Sequence, residues 1–566
     1  MNSPDHIHVR TKPALMTQEG TSRLTVAAWL RRRRVAVLLA FVVGWYGLVT
    51  LPYLDNFPHP TQDEAQIAAP GYKLATQGVY GQDLYTGYYH SEQYVYEFMP
   101  MHSLLLALCF KLFGLGMWQA RLVSALCGLA TVLLTYDLGR RLYGATLGLL
   151  AAAILCVARL SLEPQMSGIP LLDFARVIRY DIVVPVWVLA SCICFYRAHL
   201  RGSRLGYAAA GVLAGLATLS HIYGAFVLIV FVAVLLWERK WRIVLGAPIY
   251  LVIAGWALTM LPWLIYALQD PAAYYGQTLV DQSAGRYDVL NPAFYWSNII
   301  HEGDRYWRLF GSRGAGLLQP RPGIWLLIAG VLGANAILLR RARRGLSLPD
   351  RLLLLSPVVL FGLLALLINV KDYRYIIVLL PFFALQIAFT LIAFWRSAGE
   401  RARWLRWVCG IMLAAVVVEG GVGLAQMLRN ARAASPYQRL ADAVAQVLPP
   451  HARIMMVGFY WVGLAQYDVR SLDLPFRFTN PNFYKPQPLS MEQALQRVAP
   501  NYVLVDPLVE KYVFDPVQPG DSTILLQQKR AITQSLHEHC ATLVATVDGP
   551  EYADYGPMKV YRCNWP

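Results

Sequence analysis

The chain has 566 residues, of which 57% are hydrophobic and only 15% charged, and its mean hydropathy is +0.41. A water-soluble chain of this length needs more charged surface, so the composition describes a polytopic α-helical membrane protein. The net charge of +16 does not point to nucleic acid, because the arginines gather between apolar segments, where orientation signals belong.

Residues 1–34 are polar and end in the run Arg31–Arg34. The apolar segment Val35–Leu54 that follows has about the 20 residues needed to cross a bilayer. It is too long for a cleaved signal and lacks an A-x-A site, so it reads as an uncleaved anchor. Further apolar segments lie at 98–115, 120–139, 145–160, 182–198, 205–220, 222–237, 243–267, 323–339, 352–369, 375–395 and 405–428. Arginines punctuate them at Arg140-Arg141, at Arg197, Arg201 and Arg204, at Arg239 to Arg242, at Arg340 to Arg344, and at Arg396 to Arg406. If 98–115 crossed, every later cluster would fall outside. As an interfacial helix after Pro100, carrying Lys111 and Gly114-x-Gly116, it leaves all of them inside, as the positive-inside rule requires. This threading gives 11 spans, or 13 with two further crossings.

The same threading sets a transmembrane region at 35–428 with external loops at 55–119, 161–181 and 270–322. The N-terminus is then cytoplasmic and 435–566 forms an extracytoplasmic α/β domain of a protein in the inner (cytoplasmic) membrane. In that domain "HARIMMVGF", "NYVLVDP", "CATLVATVD" and "MKVYRC" read as strands and "MEQALQRVA" as an amphipathic helix. Six of the eight cysteines sit in apolar stretches as packing residues. Cys540 and Cys563 lie in the tail, where an oxidising exterior permits a disulfide.

Several polar residues stand out against this background. Asp63-Glu64 opens a juxtamembrane helix, where two carboxylates either cap the first turn or take a proton from a hydroxyl. Arg179-x-Asp181 precedes a span, either as an interfacial anchor or as a cation–acid pair beside an apolar wall. In "INVKDYRYIIVLLPF", Lys371, Arg374 and Tyr375 sit at an outer helix end, against the topological bias. They either bind an anion such as a lipid phosphate or pair with Asp372. Arg121 opens a span on the outer side and either meets phosphate or snorkels. His221 and His102 are helix-end histidines that either are satisfied locally or meet substrate or metal. In the loop 270–322, Arg286, Glu302, Asp304, Arg305 and Arg308 are candidates to line an acceptor path. No Walker loop, G-x-G-x-x-G, H-E-x-x-H or nucleophile elbow occurs, so nothing points to nucleotide-driven chemistry.

In order, the first-loop Asp63-Glu64, "FMPMHSLLLALCFKLFG", Arg121 in "WQARLVSAL", "RRLYG", Arg179-x-Asp181, "SHIYGA" and "DYRYIIVLLPF" resemble the C-type glycosyltransferases. These polytopic enzymes take sugars from polyprenyl-phosphate carriers. The closest likeness is to protein O-mannosyltransferases and lipid A aminoarabinose transferases, over roughly the first 400 residues. The family often has Pro-Pro where this chain has Met99-Pro100-Met101. The resemblance implies Asp63 as base with Glu64 beside it, Arg179 and Asp181 as the second-loop motif, and Arg374-Tyr375 near the lipid phosphate. The expected reaction is inverting transfer from a polyprenyl-monophosphate sugar to a lipid, glycan or protein acceptor among membrane lipids. Asp181 then orients the acceptor or assists a divalent cation such as Mg²⁺ or Mn²⁺, though no cofactor is required. A polymerase or ligase of lipid-linked glycans, a lipid-linked sugar transporter or flippase, and a non-catalytic scaffold are the alternatives. A transporter should carry repeats or mid-membrane charges, whereas the charges here collect at span ends.

Overall fold

The computed structural model describes residues 19–161, 165–238, 246–281, 288–306, 321–397, 403–514 and 523–565; the expectations for Arg239, Lys240, Arg242, Arg286, Arg308 and Arg401 lie outside them. Every apolar segment expected from the sequence is helical. The bundle consists of α1 (Glu19–Thr50), α4 (Met117–Tyr143), α5 (Ala145–Val157), α7 (Val183–Arg201), α8 (Arg204–Ser220), α9 (Phe226–Trp237) and α10 (Ala247–Ala267). It continues with α12 (Pro322–Ala342), α13 (Leu348–Leu367), α14 (Leu380–Ser397) and α15 (Arg403–Ala433). Between them, α2 (Gln62–Gln77), α3 (Met101–Phe113), α6 (Pro170–Ala175) and α11 (Pro292–Ile300) belong to loops.

Eight helices among the described residues are long and apolar enough to cross a membrane. The expected span at 145–160 is a 13-residue helix and that at 222–237 breaks into a 3₁₀ turn, Ile222–Ala225, and a 12-residue helix. At about 1.5 Å per residue these reach roughly 20 Å, against about 30 Å of hydrocarbon. Small residues let some of the helices approach closely: a Cβ on Gly255 of α10 would stand 2.2 Å from the Ala208 carbonyl oxygen of α8, the small-residue packing common between membrane helices.

The arginine-rich helix ends meet at one end of the bundle. There Tyr143 donates to Asp350 at 2.7 Å and Arg341 pairs with the same carboxylate at 2.9 Å. Tyr196 donates to the Arg141 carbonyl, and Glu238 gathers His199 and Arg351. Asp63, Arg121, Arg179, Asp181, His221 and Arg374 lie together at the opposite end. The 13-residue α3 stays at that second end, since the Phe98 ring before it packs at a tilt on Tyr180, 5.5 Å between centroids, and Cys109 within it donates to the Gln119 carbonyl.

The tail folds as a five-stranded mixed sheet in the order β2-β1-β3-β5-β4. β1 (Arg453–Met456) runs parallel to β2 (Asp468–Ser471) and β3 (Tyr502–Val505), while β5 (Met558–Arg562) is antiparallel to β3 and to β4 (Thr542–Val547). Helices α16 (Tyr437–Val447), α17 (Met491–Val498) and α18 (Thr523–His539) cover it. The four strands and the helix read from the sequence are present; β2 escaped because its "DVRS" carries two charges. Arg470 in that strand is nearly buried, donating to the Asp83 carbonyl at 2.6 Å and pairing with Asp468. Cys540 and Cys563 are disulfide-bonded.

The tail shares its core with the first loop. Ala65, Ala68, Leu84 and Tyr88 belong to the same apolar cluster as Ile454, Met456 and Leu474. Tyr88 donates to the Phe483 carbonyl at 2.7 Å, and the Arg477 guanidinium lies 4.4 Å from the centre of the Tyr85 ring. Position 435 is thus a boundary along the chain but not in the packing.

Candidate active site

Two adjacent acids at the start of α2 have opposite environments. Glu64 is 1% exposed, whereas the Asp63 side chain is 52% exposed. Glu64 turns back to cap its own helix, accepting the Thr61 backbone N–H at 3.0 Å, as in a capping box. Its two oxygens also accept the Nε and Nη2 of fully buried Arg121 at 2.9 and 3.0 Å and the Ile178 N–H at 2.9 Å. Arg121 spends Nη1 on the Leu54 carbonyl. Both groups, expected to meet substrate, are saturated by each other and by backbone. Their charges are buried as a forked pair, the geometry in which a buried pair is tolerated, and the pair ties the ends of α1, α2 and α4 to the second loop.

Asp63 points the other way. Its Oδ2 accepts Arg179 Nη1 at 2.6 Å and Arg374 Nη1 at 3.0 Å, so one carboxylate bridges two guanidiniums from loops 195 positions apart along the chain. Burial alone would raise the Asp63 carboxyl, but the charges and hydrogen bonds of Arg179 and Arg374 outweigh it and hold it below the usual carboxylate value. Arg374 also grips Asp372 through Nη2, while its backbone N–H donates to the same carboxylate at 2.9 Å. Desolvation alone would lower the Arg374 guanidinium, but the hydrogen bond and charge of Asp372 together with the charges of Asp181 and Asp63 outweigh it and raise the group; it stays charged.

Asp181 lies deeper. It is 1% exposed, 3.5 Å from Arg179 Nε, and accepts the Tyr223 hydroxyl at 3.3 Å. His221 ends α8, and its ring packs among Tyr180, Tyr223 and Tyr375, with centroids 5.4, 4.2 and 5.4 Å away. Tyr180 and His221 form one wall of a cleft of about 290 Å³, whose other sides are Tyr96, Met99, Trp263 and Tyr274. The Asp63–Arg179–Asp181 array therefore adjoins a cleft with aromatic walls.

Two expected members stand apart. Lys371 is buried, its Nζ donating to Glu302 at 2.8 Å and to the Ala365 carbonyl at 3.0 Å. Glu302 also holds Arg305, which caps carbonyls at the end of α13. Lys371 thus anchors the 288–306 loop rather than joining the array; its own helix end could not reveal that partner 69 residues away. His102 is buried as well; burial, with the nearby Arg179 charge, pushes its imidazole down to about 3, so it is neutral at pH 7. Residues not singled out from the sequence are Tyr180, Tyr223 and the cleft walls Tyr96, Trp263 and Tyr274. Aromatics at span ends are the one signal they leave, and interfacial belts leave the same one. Among the described residues no three His, Cys, Asp or Glu side chains come together as a metal site. Between Asp63 and Asp181 stands the Arg179 guanidinium, a donor set that suits anions and not a divalent cation.

Residues 99–266 match the family model described as dolichyl-phosphate-mannose-protein mannosyltransferase. The undecaprenyl phosphate-alpha-4-amino-4-deoxy-L-arabinose arabinosyl transferase of Pseudomonas aeruginosa is 29% identical over 252 residues, covering 44% of this chain and 43% of the relative. The match thus spans less than half of that relative's length. The structure of ArnT from Cupriavidus metallidurans bound to undecaprenyl phosphate superposes with a TM-score of 0.58 at 15% identity, over 93% of this chain and 97% of the other. The oligosaccharyltransferase of Archaeoglobus fulgidus gives 0.56 at 13% identity, over 86% and 71%. This is the C-type glycosyltransferase fold. It is the fold that the resemblance of the ordered motifs implied. Within the C-type frame the array lies where the first, second and late loops converge. The fold also establishes the chain as an integral membrane protein.

Proposed function

We propose that this protein is an inverting glycosyltransferase that moves a sugar from a polyprenyl-monophosphate donor to an acceptor hydroxyl, on the extracytoplasmic face of the inner membrane. The observation that carries the reading is the Asp63 carboxylate bridging Arg179 and Arg374 beside the aromatic cleft. The location is supported by the arginine-rich ends lying opposite this array and by the disulfide in the tail packed on the first loop. The P. aeruginosa relative and the undecaprenyl-phosphate complex of the C. metallidurans protein support the donor class.

The chemistry follows from the residues. Asp63 takes the proton of the acceptor hydroxyl, the acceptor oxygen bonds to the anomeric carbon, and the bond from that carbon to the phosphate oxygen breaks. The electron pair leaves on the phosphate, whose added negative charge the Arg179 and Arg374 forks neutralise. Two guanidiniums already held at 2.6 and 3.0 Å from one carboxylate are preorganised for an anion. The donor phosphate competes with Asp63 for them. Once they turn to phosphate, burial becomes the dominant influence on Asp63, its pKa rises, and it becomes a better base. Asp181 holds Arg179 from behind, and Tyr223 and His221 hold the cleft wall. Glu64 and Arg121 position α2. No step runs through a divalent cation, since Arg179 occupies the space between the two acids.

Purified protein in detergent, supplied with radiolabelled polyprenyl-phosphate sugars and a membrane extract as acceptor, tests the proposal. Wild type should release sugar from one donor and Asp63→Asn should lose at least about 10²-fold, the usual worth of a positioned base, while keeping its elution profile. Equal rates in the two proteins across all donors would refute it.

A further inference from the structure

Behind the helix that carries Asp63 is a second cavity, of about 450 Å³, between the C-terminal half of α2 and the β1–β2 edge of the tail. Its walls come from two segments far apart in sequence, Ala69–Asp83 and His451–Val469. The volume lies within the roughly 300–1,000 Å³ range of small-molecule sites, and the lining specifies the chemistry. Tyr72, Trp461 and Tyr467 supply aromatic surface, with the Tyr72 and Trp461 rings edge to face at 5.9 Å. Gln77 and Gln466 are exposed amides at the mouth. Both wall carboxylates are neutralised: Asp83 pairs with Lys73, and Asp468 pairs with Arg453 at 2.7 Å and Arg470 at 2.8 Å. A charged ligand would meet cations and carboxylates already paired with one another, and an acyl chain would meet amides and the same ion pairs. A neutral polyhydroxyl ligand fits both features, its C–H faces lying on the aromatic rings and its hydroxyls exchanging hydrogen bonds with amides and carboxylates.

We propose that this cavity is a saccharide-binding subsite that engages a glycan acceptor away from the reacting hydroxyl. The inference rests on the transferase reading above and narrows its acceptor to a glycan. Lys73 is ten residues along α2 from Asp63, about 15 Å at the helical rise. A single sugar does not span that distance, so the acceptor that fills both places is a chain of several sugars. Because the cavity and the base share one helix, occupancy of the seam fixes where the acceptor chain enters the reaction centre.

The test uses the full-length protein in detergent and neutral gluco-, manno- and chito-oligosaccharides of four to six residues as probes. Binding is followed by saturation-transfer NMR and titrated to a dissociation constant. Donor turnover is read separately as slow release of sugar to water, which needs no glycan. Wild type should bind at least one probe, and Gln77→Ala/Gln466→Ala, both exposed positions, should weaken it at least tenfold with donor hydrolysis unchanged. Trp461→Phe keeps the apolar bulk and should weaken the same probe. If wild type binds no probe, or if the double variant binds as wild type does, the subsite proposal is overturned while hydrolysis still reports on the transferase reading. Binding lost in the double variant, in a protein that hydrolyses no donor, would support the cavity and refute the transferase.

Discussion

Asp63 and Glu64 show how little adjacency in sequence says about role. Glu64 is sealed against Arg121, so Glu64→Gln leaves a buried guanidinium without its counter-charge. That loss is worth about 3–5 kcal/mol and should appear as a large fall in the thermal midpoint followed by size-exclusion recovery. Asp63→Asn, at a half-exposed position, should change that midpoint little and act on turnover instead. The same carboxyl predicts a pH signature. In the free enzyme Arg179 and Arg374 hold it below its ordinary 3.8, so it stays ionised, and the acid limb of kcat/KM lies below that pH. With the guanidiniums drawn to donor phosphate the pKa rises, so the acid limb of kcat should lie at higher pH than that of kcat/KM. Coincident limbs, measured on one preparation, would show that Asp63 keeps its arginines throughout the cycle. The pair of acids was legible in the sequence, and so was their ambiguity between cap and base. The structure makes Glu64 the cap and leaves Asp63 half-exposed between Arg179 and Arg374, a division that no spacing rule could give. The pairing of Lys371 was illegible for the related reason that its partner, Glu302, lies on another loop.

At the scale of elements, hydropathy found every helix of the bundle because a span announces itself by length and hydropathy. It did not find the cleft, whose walls are Tyr96 from the first loop, His221 from the end of α8, Trp263 from α10 and Tyr274 beyond it. Such a surface is made by how helices pack, and the packing of α8 on α10 depends on glycines that a hydropathy scan ignores. Gly255→Ala tests that dependence. Its Cβ would meet the Ala208 carbonyl oxygen at 2.2 Å, so the two helices must separate, at a cost of about 1–3 kcal/mol for overpacking. Since α8 ends at His221 and α10 carries Trp263, the displacement should also open the cleft and raise the KM for donor. A control in α1, Gly44→Ala, where a Cβ meets nothing within 4 Å, should leave both stability and KM unchanged. If the two substitutions behave alike, the close approach of α8 and α10 does not set the cleft.

For the whole molecule, the arrangement of charge decides which way the protein faces. Arg341 pairs with Asp350, Arg351 with Glu238 and Arg141 with Asp137 at one end, and the tail packs through Arg470, Tyr88 and Arg477 onto the first loop at the other. Cationic segments are retained on the cytoplasmic side, so the first end should face the cytoplasm and the Asp63–Arg179–Arg374 array, with the tail, the exterior. Cysteine accessibility in intact cells tests this directly. Gln496→Cys in α17 and Arg344→Cys just beyond α12 are both exposed, and the six free cysteines of the parent are buried or half-buried, which keeps its background low. A membrane-impermeant maleimide should label Gln496→Cys in whole cells and Arg344→Cys only after permeabilisation. Labelling in the reverse order would place the array on the cytoplasmic side and remove the reason for reading Arg140 to Arg406 as retention signals. Labelling of both from outside would require an even number of crossings between Arg344 and the tail, whereas α13, α14 and α15 provide three. The orientation and the chemistry are linked by the tail itself: its disulfide forms in an oxidising compartment, and that domain packs directly on α2, the helix on which Asp63 stands.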